Sequence, residues 1–274
     1  MAVRLELRQE TTLALEVEGI LPREVRDKSL AEIERLPVLY GNRPAVVADF
    51  FRVTMDATQD TLMWSGDLSR VHWIGAGLDG GTIFVDGSAG RHVGSRMRAG
   101  RIEVTGDVGD WLGGELRGGE LVVRGNAGHL VGSAYRGSAR GMTGGTLLVH
   151  GNVGNEIGWG MRRGLLAVAG QAGDMIGFNM RAGSIFVLGS CGVRHGAGMR
   201  RGTIGLLGHP SMNLLPTFRA ACQGRFEFLT LVDRALRKHA FPSPRQIGEM
   251  VVALYHGDLL EGGRGEILLP ADAS

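Results

Sequence analysis

The chain has 274 residues, 46 of them glycine, with 21% charged residues and a formal net charge of +2. Glycine at more than twice its ordinary share of about 7%, without a three-residue period, excludes collagen, and two cysteines exclude a disulfide framework. No run of 18 apolar residues is present, and residues 1–17 carry acids and strand alternation in place of an apolar leader, so a cytoplasmic protein is expected.

In chain order, residues 3–7 and 13–17 alternate apolar and polar side chains and predict two strands. Ser29-Leu30-Ala31-Glu32 is a capping box that opens a short helix reaching residue 36, ended by Pro37. Tyr40-Gly41-Asn42-Arg43-Pro44 reads as a turn, and an apolar run follows to Phe51.

A repeat then takes over. Gly81, Gly100, Gly119, Gly145, Gly164, Gly183 and Gly202 open successive copies spaced by 19 residues, except for one enlarged copy of 26. A second glycine follows at a fixed offset, from Gly87 to Gly208. Within each copy the apolar residues stand two apart, which is the strand period and rules out helical repeats. The spacing predicts columns of equivalent side chains. One runs Ile83, Ile102, Leu121, Leu147, Leu166, Ile185 and Ile204, and its neighbour runs from Val85 to Leu206. A third runs from Val93 to His195, and a fourth holds Met97, Leu116, Met161, Met180 and Met199. Repeats of this length cannot stand alone. The expected fold is mainly β: a right-handed parallel β-helix of about seven to eight coils over residues 61–209, with an entry segment at 1–60 and a helical segment at 210–274. In the last segment, helices are expected over residues 226–238 and 243–256, the second opened by Ser243-Pro244-Arg245-Gln246. Both flanks are expected to cover the open ends of the repeat array.

Candidate chemistry is sparse. Gly75-Ala76-Gly77-Leu78-Asp79-Gly80 has the spacing of a nucleotide loop, but its glycines are in phase with the repeat and no crossover helix follows. Cys191 falls in a small inward column and reads as packing. His195 replaces an aliphatic residue in an inward column and reads as a hydrogen-bonded core histidine. The column Ser88, Asp107, Asn126, Asn152 and Gln171 suits turn hydrogen bonding, not calcium. No catalytic, cofactor-binding or metal-ligating constellation is expected, and Arg124 reads as a surface position. One charged column stands out: Arg98, Arg117, Arg162, Arg181 and Arg200 each follow the methionine/leucine column. Residues 61–208 hold fifteen arginines, ten acids and no lysine. Like charges on adjacent rungs repel. Two readings stand: a solvated arginine face near Glu115, or an interface for the carboxylates of a partner.

The repeat resembles the glycine-rich domain shared by the large subunit of glutamate synthase and by the C subunit of formylmethanofuran dehydrogenase. Lys28-Ser29-Leu30-Ala31-Glu32-Ile33, Tyr40-Gly41-Asn42, Asp49-Phe50-Phe51-Arg52-Val53 and Leu214-Leu215-Pro216-Thr217-Phe218 resemble the flanks of the second of these families, as does Gly141-Met142 in the enlarged copy. That resemblance implies a non-catalytic scaffold subunit in one-carbon metabolism. In the bacterial version, the formyltransferase/hydrolase complex of methylotrophs moves a formyl group from tetrahydromethanopterin to a methanofuran-type carrier and releases formate. In the archaeal version the partners carry a tungsten or molybdenum pterin. The resemblance also implies metallohydrolase-like, formyltransferase-like and pterin-enzyme-like partners, with metal and carrier held by them and no cofactor in this chain. Arginine usage favours the bacterial version. A freestanding carbohydrate-active β-helix, the rival from another class, would need a cleft of acids that the columns lack.

Overall fold

The computed structural model describes residues 2–9, 11–56, 61–208, 213–242 and 246–271. The entry segment contains β1 (Ala2–Leu7), β2 (Leu15–Glu16), α1 (Pro22–Val25), α2 (Leu30–Glu34), β3 (Pro37–Tyr40), β4 (Arg43–Val46), α3 (Val47–Phe50) and β5 (Phe51–Asp56). The repeats contribute β6 (Thr61–Ser65), β7 (Val71–His72), β8 (Asp79–Asp86), β9 (Ala99–Val104), β10 (Glu120–Val123), β11 (Thr143–Val149), β12 (Arg163–Val168), β13 (Ser184–Val187) and β14 (Gly202–Leu206). The chain closes with β15 (Arg219–Gly224), α4 (Glu227–Lys238), β16 (Val252–Gly257) and β17 (Gly265–Pro270). The expected capping box is present, Ser29 accepting from the Glu32 amide while the Glu32 carboxylate accepts from the Ser29 amide.

Among the described residues, 13 strands form one large, mostly parallel sheet ordered β15-β16-β17-β14-β13-β12-β11-β10-β9-β8-β6-β1-β5, and β4-β3-β2-β7 form a second sheet. The protein is therefore mainly β. Register follows the repeat: Ile83 pairs with Ile102, Ile102 with Leu121, Leu121 with Leu147 across the enlarged copy, and so on to Ile204. The column continues through Leu62 to Val3 of the entry segment on one side and to Ile267 of the C-terminal segment on the other. These side chains are buried, as are those of the Val85 and methionine columns. Met142 fills the methionine column between Leu116 and Met161, with its amide donating to the Gly132 carbonyl. Each such aliphatic burial contributes roughly 1.5–3 kcal/mol.

Two glycine columns make this stacking possible, for different reasons. The opening glycines adopt left-handed φ values from +77° at Gly81 to +102° at Gly202, a region costly for other residues. The second glycines allow close approach: a Cβ on Gly106 would lie 2.6 Å from the Gly87 carbonyl carbon, and one on Gly125 would lie 2.6 Å from that of Gly106. Beside them, polar side chains bond from one repeat to the next. The Asn126 amide donates to Asp107 Oδ1 (2.6 Å), Asn152 to Asn126 (2.8 Å) and Gln171 to Asn152 (2.7 Å). Hydrogen bonding was expected of this column, and its partners are the adjacent rungs. A parallel series runs from Asp110 through His129 and Asn155 to Asp174.

The C-terminal segment departs from expectation. Residues 226–238 do contain the helix α4, but no second helix spans 243–256. Residues 243–245 lie outside the described residues, Ile247–Glu249 is a single 3-10 turn, and Val252–Gly257 is β16. Val252 and Leu254 alternate into packing against the sheet, and β16 pairs antiparallel with β17. Nor does α4 cover an end. Leu229 and Leu236 pack with Val122, Leu148, Ala167 and Phe186 on the face of the sheet opposite the main core, so the helix covers a flank. Arg124 is also more than a surface residue, because its guanidinium pairs with Glu103 at 2.6 Å and meets His150 at 3.1 Å.

Two substitutions and one control test this packing. Gly125→Ala is expected to cost about 1–3 kcal/mol by forcing neighbouring rungs apart, whereas Gly80→Ala, with open space around its Cβ, should stay within about 0.5 kcal/mol. Leu121→Asp places an unpaired charge in the buried column and should cost about 4 kcal/mol or more. Thermal unfolding measures both, and unchanged melting of either Gly125→Ala or Leu121→Asp would contradict the register.

Candidate functional site

One turn of each repeat leaves the core and presents side chains outward. At its apex Trp73, His92, Trp111, Leu130, Glu156, Met175 and Arg194 occupy equivalent positions, all with φ between +60° and +68°. Backbone bonds tie the turns together: the Trp73 amide donates to the Arg91 carbonyl, His92 to Asp110, and Trp111 to His129. The enlarged copy adds Tyr135 to this face.

On the side of the first repeats lies an aromatic stack. Trp73 and His92 are parallel at 4.1 Å between ring centres, and Trp111 and Tyr135 at 4.6 Å. Tyr135 comes from the enlarged copy. Its hydroxyl meets His92 Nδ1 at 2.9 Å and Ser95 Oγ at 2.7 Å, and Arg96 lies over its ring at 5.2 Å. Burial, with Arg91 nearby, pushes the His92 pKa down to about 4, and burial raises that of Tyr135. The sequence reading missed this group. Trp73, His92 and Trp111 are 19 residues apart and carried the signal, but Tyr135 stands off the period.

The arginine column runs along repeats on both sides of the enlarged copy. The amides of Arg98, Arg117, Arg162, Arg181 and Arg200 donate to the rung before them, which confirms the stacking order, but Thr143 takes the position between Arg117 and Arg162. The five guanidiniums are thus an interrupted series. Arg200 pairs with Glu261 of the C-terminal segment at 2.7 Å. Arg162 Nε is buried with no hydrogen-bond partner, and among the described residues no acid pairs with Arg98, Arg117, Arg162 or Arg181. Glu115 is engaged by Arg96 at 3.5 Å and does not neutralise the column. Trp159, Asn179, Arg181, Arg200, Glu261 and Ser138 line a cavity of about 220 Å³. Ser138 again comes from the enlarged copy. Guanidiniums at such a concave surface suit the planar, bidentate recognition of carboxylates.

The other residues singled out in the sequence take structural places. His195 is buried, its Nδ1 accepting from the Ile176 amide at 3.3 Å and its Nε2 donating to the Gly192 carbonyl at 2.9 Å. Burial pushes the Cys191 thiol up to about 11, far from a reactive thiolate. Gly75 and Gly77 lie in a turn of the repeat, and a Cβ on Gly75 would collide with Ile102 of the core. Among the described residues, no three His, Cys, Asp or Glu side chains converge as metal ligands, and no helix is long and apolar enough to cross a membrane.

Comparison with known proteins places this architecture. The family model for the GXGXG motif matches residues 59–214. The C subunit of the molybdenum-containing formylmethanofuran dehydrogenase 1 of Methanothermobacter marburgensis is 40% identical over 83 residues, 30% of this chain and 21% of that protein. The C subunit of the tungsten-containing formylmethanofuran dehydrogenase 2 of the same organism is 38% identical over 91 residues, 32% of this chain and 34% of that protein. The matched stretches thus span about a fifth to a third of these relatives. A far more extensive likeness is to a chain in the crystal structure of the formyltransferase/hydrolase complex from Methylorubrum extorquens in complex with methylofuran. It has a TM-score of 0.88 and 32% identity, over 98% of this chain and 99% of that one.

The aromatic stack makes a testable statement about pH. With its folded pKa below the ordinary value of about 6.5, His92 takes up its proton first in the unfolded chain, so its contribution to stability is full above pH 6.5 and is lost as the pH falls toward 4. A nuclear magnetic resonance titration should place the His92 midpoint near 4, and melting should become easier across that window. A midpoint near 6.5 would show that the ring is not buried in the stack.

Proposed function

The chain belongs to the GXGXG family, as a relative of the formylmethanofuran dehydrogenase C subunits, and on that footing we propose that it is the non-catalytic scaffold subunit of a formyltransferase/hydrolase complex. In that complex a formyl group passes from tetrahydromethanopterin to a methanofuran-type carrier and leaves as formate, in the cytoplasm. Metallohydrolase-like, formyltransferase-like and pterin-enzyme-like subunits supply the chemistry and hold the metal and carriers. The single observation that carries this reading is the end-to-end correspondence with a chain of such a complex, flanks included. A repeat domain shared by many proteins would align through its glycines alone. The equivalent role in a tungsten or molybdenum formylmethanofuran dehydrogenase is the second reading, favoured by identities of 38–40% over about a third of this chain.

The same reading completes the architecture. The parallel register at a 19-residue offset supports a β-helix of about seven to eight coils, wound right-handed as parallel crossovers are. Residues 1–60 form its entry segment, 61–209 its coils and 210–274 its C-terminal cover. The column Arg98, Arg117, Arg162, Arg181 and Arg200 is the partner interface. Arg181, unpaired at the concave surface, and Arg162, with Nε buried and unsatisfied, support a partner that brings carboxylates.

The test is a variant of the intact complex. Truncating one side of a buried, hydrogen-bonded charge pair costs about 2–5 kcal/mol, whereas an exposed arginine contributes close to nothing. Arg162→Ala/Arg181→Ala should therefore weaken co-purification of the partners at least tenfold and lower its salt resistance, with the melting of the isolated chain unchanged. Unchanged assembly of the double variant would place the interface elsewhere. Formyl transfer or hydrolysis by the purified chain alone would overturn the scaffold role.

A further inference from the structure

A second concave site lies beside the first repeat, at the β7 edge of the small sheet. It is a cleft of about 410 Å³ whose lining includes Ser69, Arg70, His72, Gly90, Arg91 and Gly109 and no carboxylate. Asp110 accepts from the His129 amide, and Asp67, which engages the Ser69 amide and side chain and lies near Arg70, stands outside the lining. Arg70 is held by a hydrogen bond from Nη1 to the Thr12 carbonyl at 3.1 Å, and Arg91 is exposed without an ion pair among the described residues.

His72 is only 9% exposed and closes the cleft. Its Nδ1 accepts from the Arg91 amide at 2.9 Å, so the neutral ring carries its proton on Nε2. That Nε2 makes no hydrogen bond within the protein and is not sealed from solvent. The ring lines the cleft, and its Nε2–H is free to donate to an occupant. The glycines keep the space clear: a Cβ on Gly90 would overlap the His72 ring, and one on Gly109 would lie 2.9 Å from Arg91 Cγ. Two guanidiniums and one imidazole N–H therefore border the same opening from two segments, residues 70–72 and Arg91. Donors spread in this way suit a tetrahedral oxyanion better than a planar carboxylate, which a single fork-shaped guanidinium satisfies.

We propose that this cleft binds a phosphoryl group, free or at the end of a small metabolite, through Arg70, Arg91 and His72 Nε2–H. The experiment is calorimetric titration of the full chain with inorganic phosphate, methyl phosphate and acetate at matched ionic strength. Imidazole resonances are followed in parallel. Saturable one-site binding of a phosphate species is expected, at least tenfold tighter than acetate, with shifts at His72 and not at the distant His150. Tighter binding of inorganic phosphate assigns the free ion, and tighter binding of methyl phosphate assigns a phosphorylated metabolite. Arg91→Ala, at an exposed side chain on which the fold does not depend, should weaken binding at least tenfold with unchanged circular dichroism. Absence of saturable binding, equal affinity for acetate, or binding that survives Arg91→Ala would overturn the proposal. None of these outcomes depends on the arginine column or on complex assembly.

Discussion

Everything in this molecule depends on how closely one backbone can lie on the next. At the second glycine of each repeat, main chain rests on main chain, and a single methyl group would enter the space of the preceding carbonyl. That contact brings the rungs to ladder distance and lets Ile, Leu, Val and Met meet their own kind above and below. It also brings Asp107, Asn126 and Asn152 within reach of the next amide, so the tight corner is closed by side chains as well as by backbone. Glycine carries a large entropic cost on folding. Continuous burial of the aliphatic columns offsets it, and neither feature would be stable without the other.

The repeat was legible because its cause is strictly periodic. A requirement for glycine recurs wherever the rungs touch, so the register from Ile83 to Ile204 follows from spacing alone. Features set by a single contact were not legible in that way. Met142 sits in the methionine column although the enlarged copy breaks the count, because the extra residues loop outward and the chain returns in phase. Arg124 looks like any outward residue of a strand, but Glu103, one rung away, holds it. The C-terminal segment misled for a tertiary reason. Residues 243–256 open with a helix-start pattern at 243–246, but the open edge at β17 offers Val252 and Leu254 backbone pairing and a packed face, and that outweighs a weak local preference. The expected arginine column was found in its order but not in its continuity, since Thr143 interrupts it.

The outward turns connect the scaffold to function. Core columns leave no freedom, so variation collects outside them, where Trp73, His92, Trp111 and the inserted Tyr135 assemble in one group and Arg181, Arg200 and Trp159 in another. The enlarged copy contributes to both. A stiff array that displays aromatic and guanidinium groups at fixed spacing is well suited to recognition, because little ordering remains to be done on binding. On the proposed scaffold role, that rigidity is what the chain contributes: it holds partners in fixed relation while the chemistry proceeds elsewhere.

The most direct measurement is the identity of the chains that co-purify with this one when it is tagged at its native level of expression and the eluate is analysed by mass spectrometry. The scaffold account predicts a metallohydrolase-like, a formyltransferase-like and a pterin-enzyme-like chain in constant ratio through gel filtration. A tungsten or molybdenum pterin protein with iron–sulfur partners in their place, or a chain that elutes alone, would contradict it.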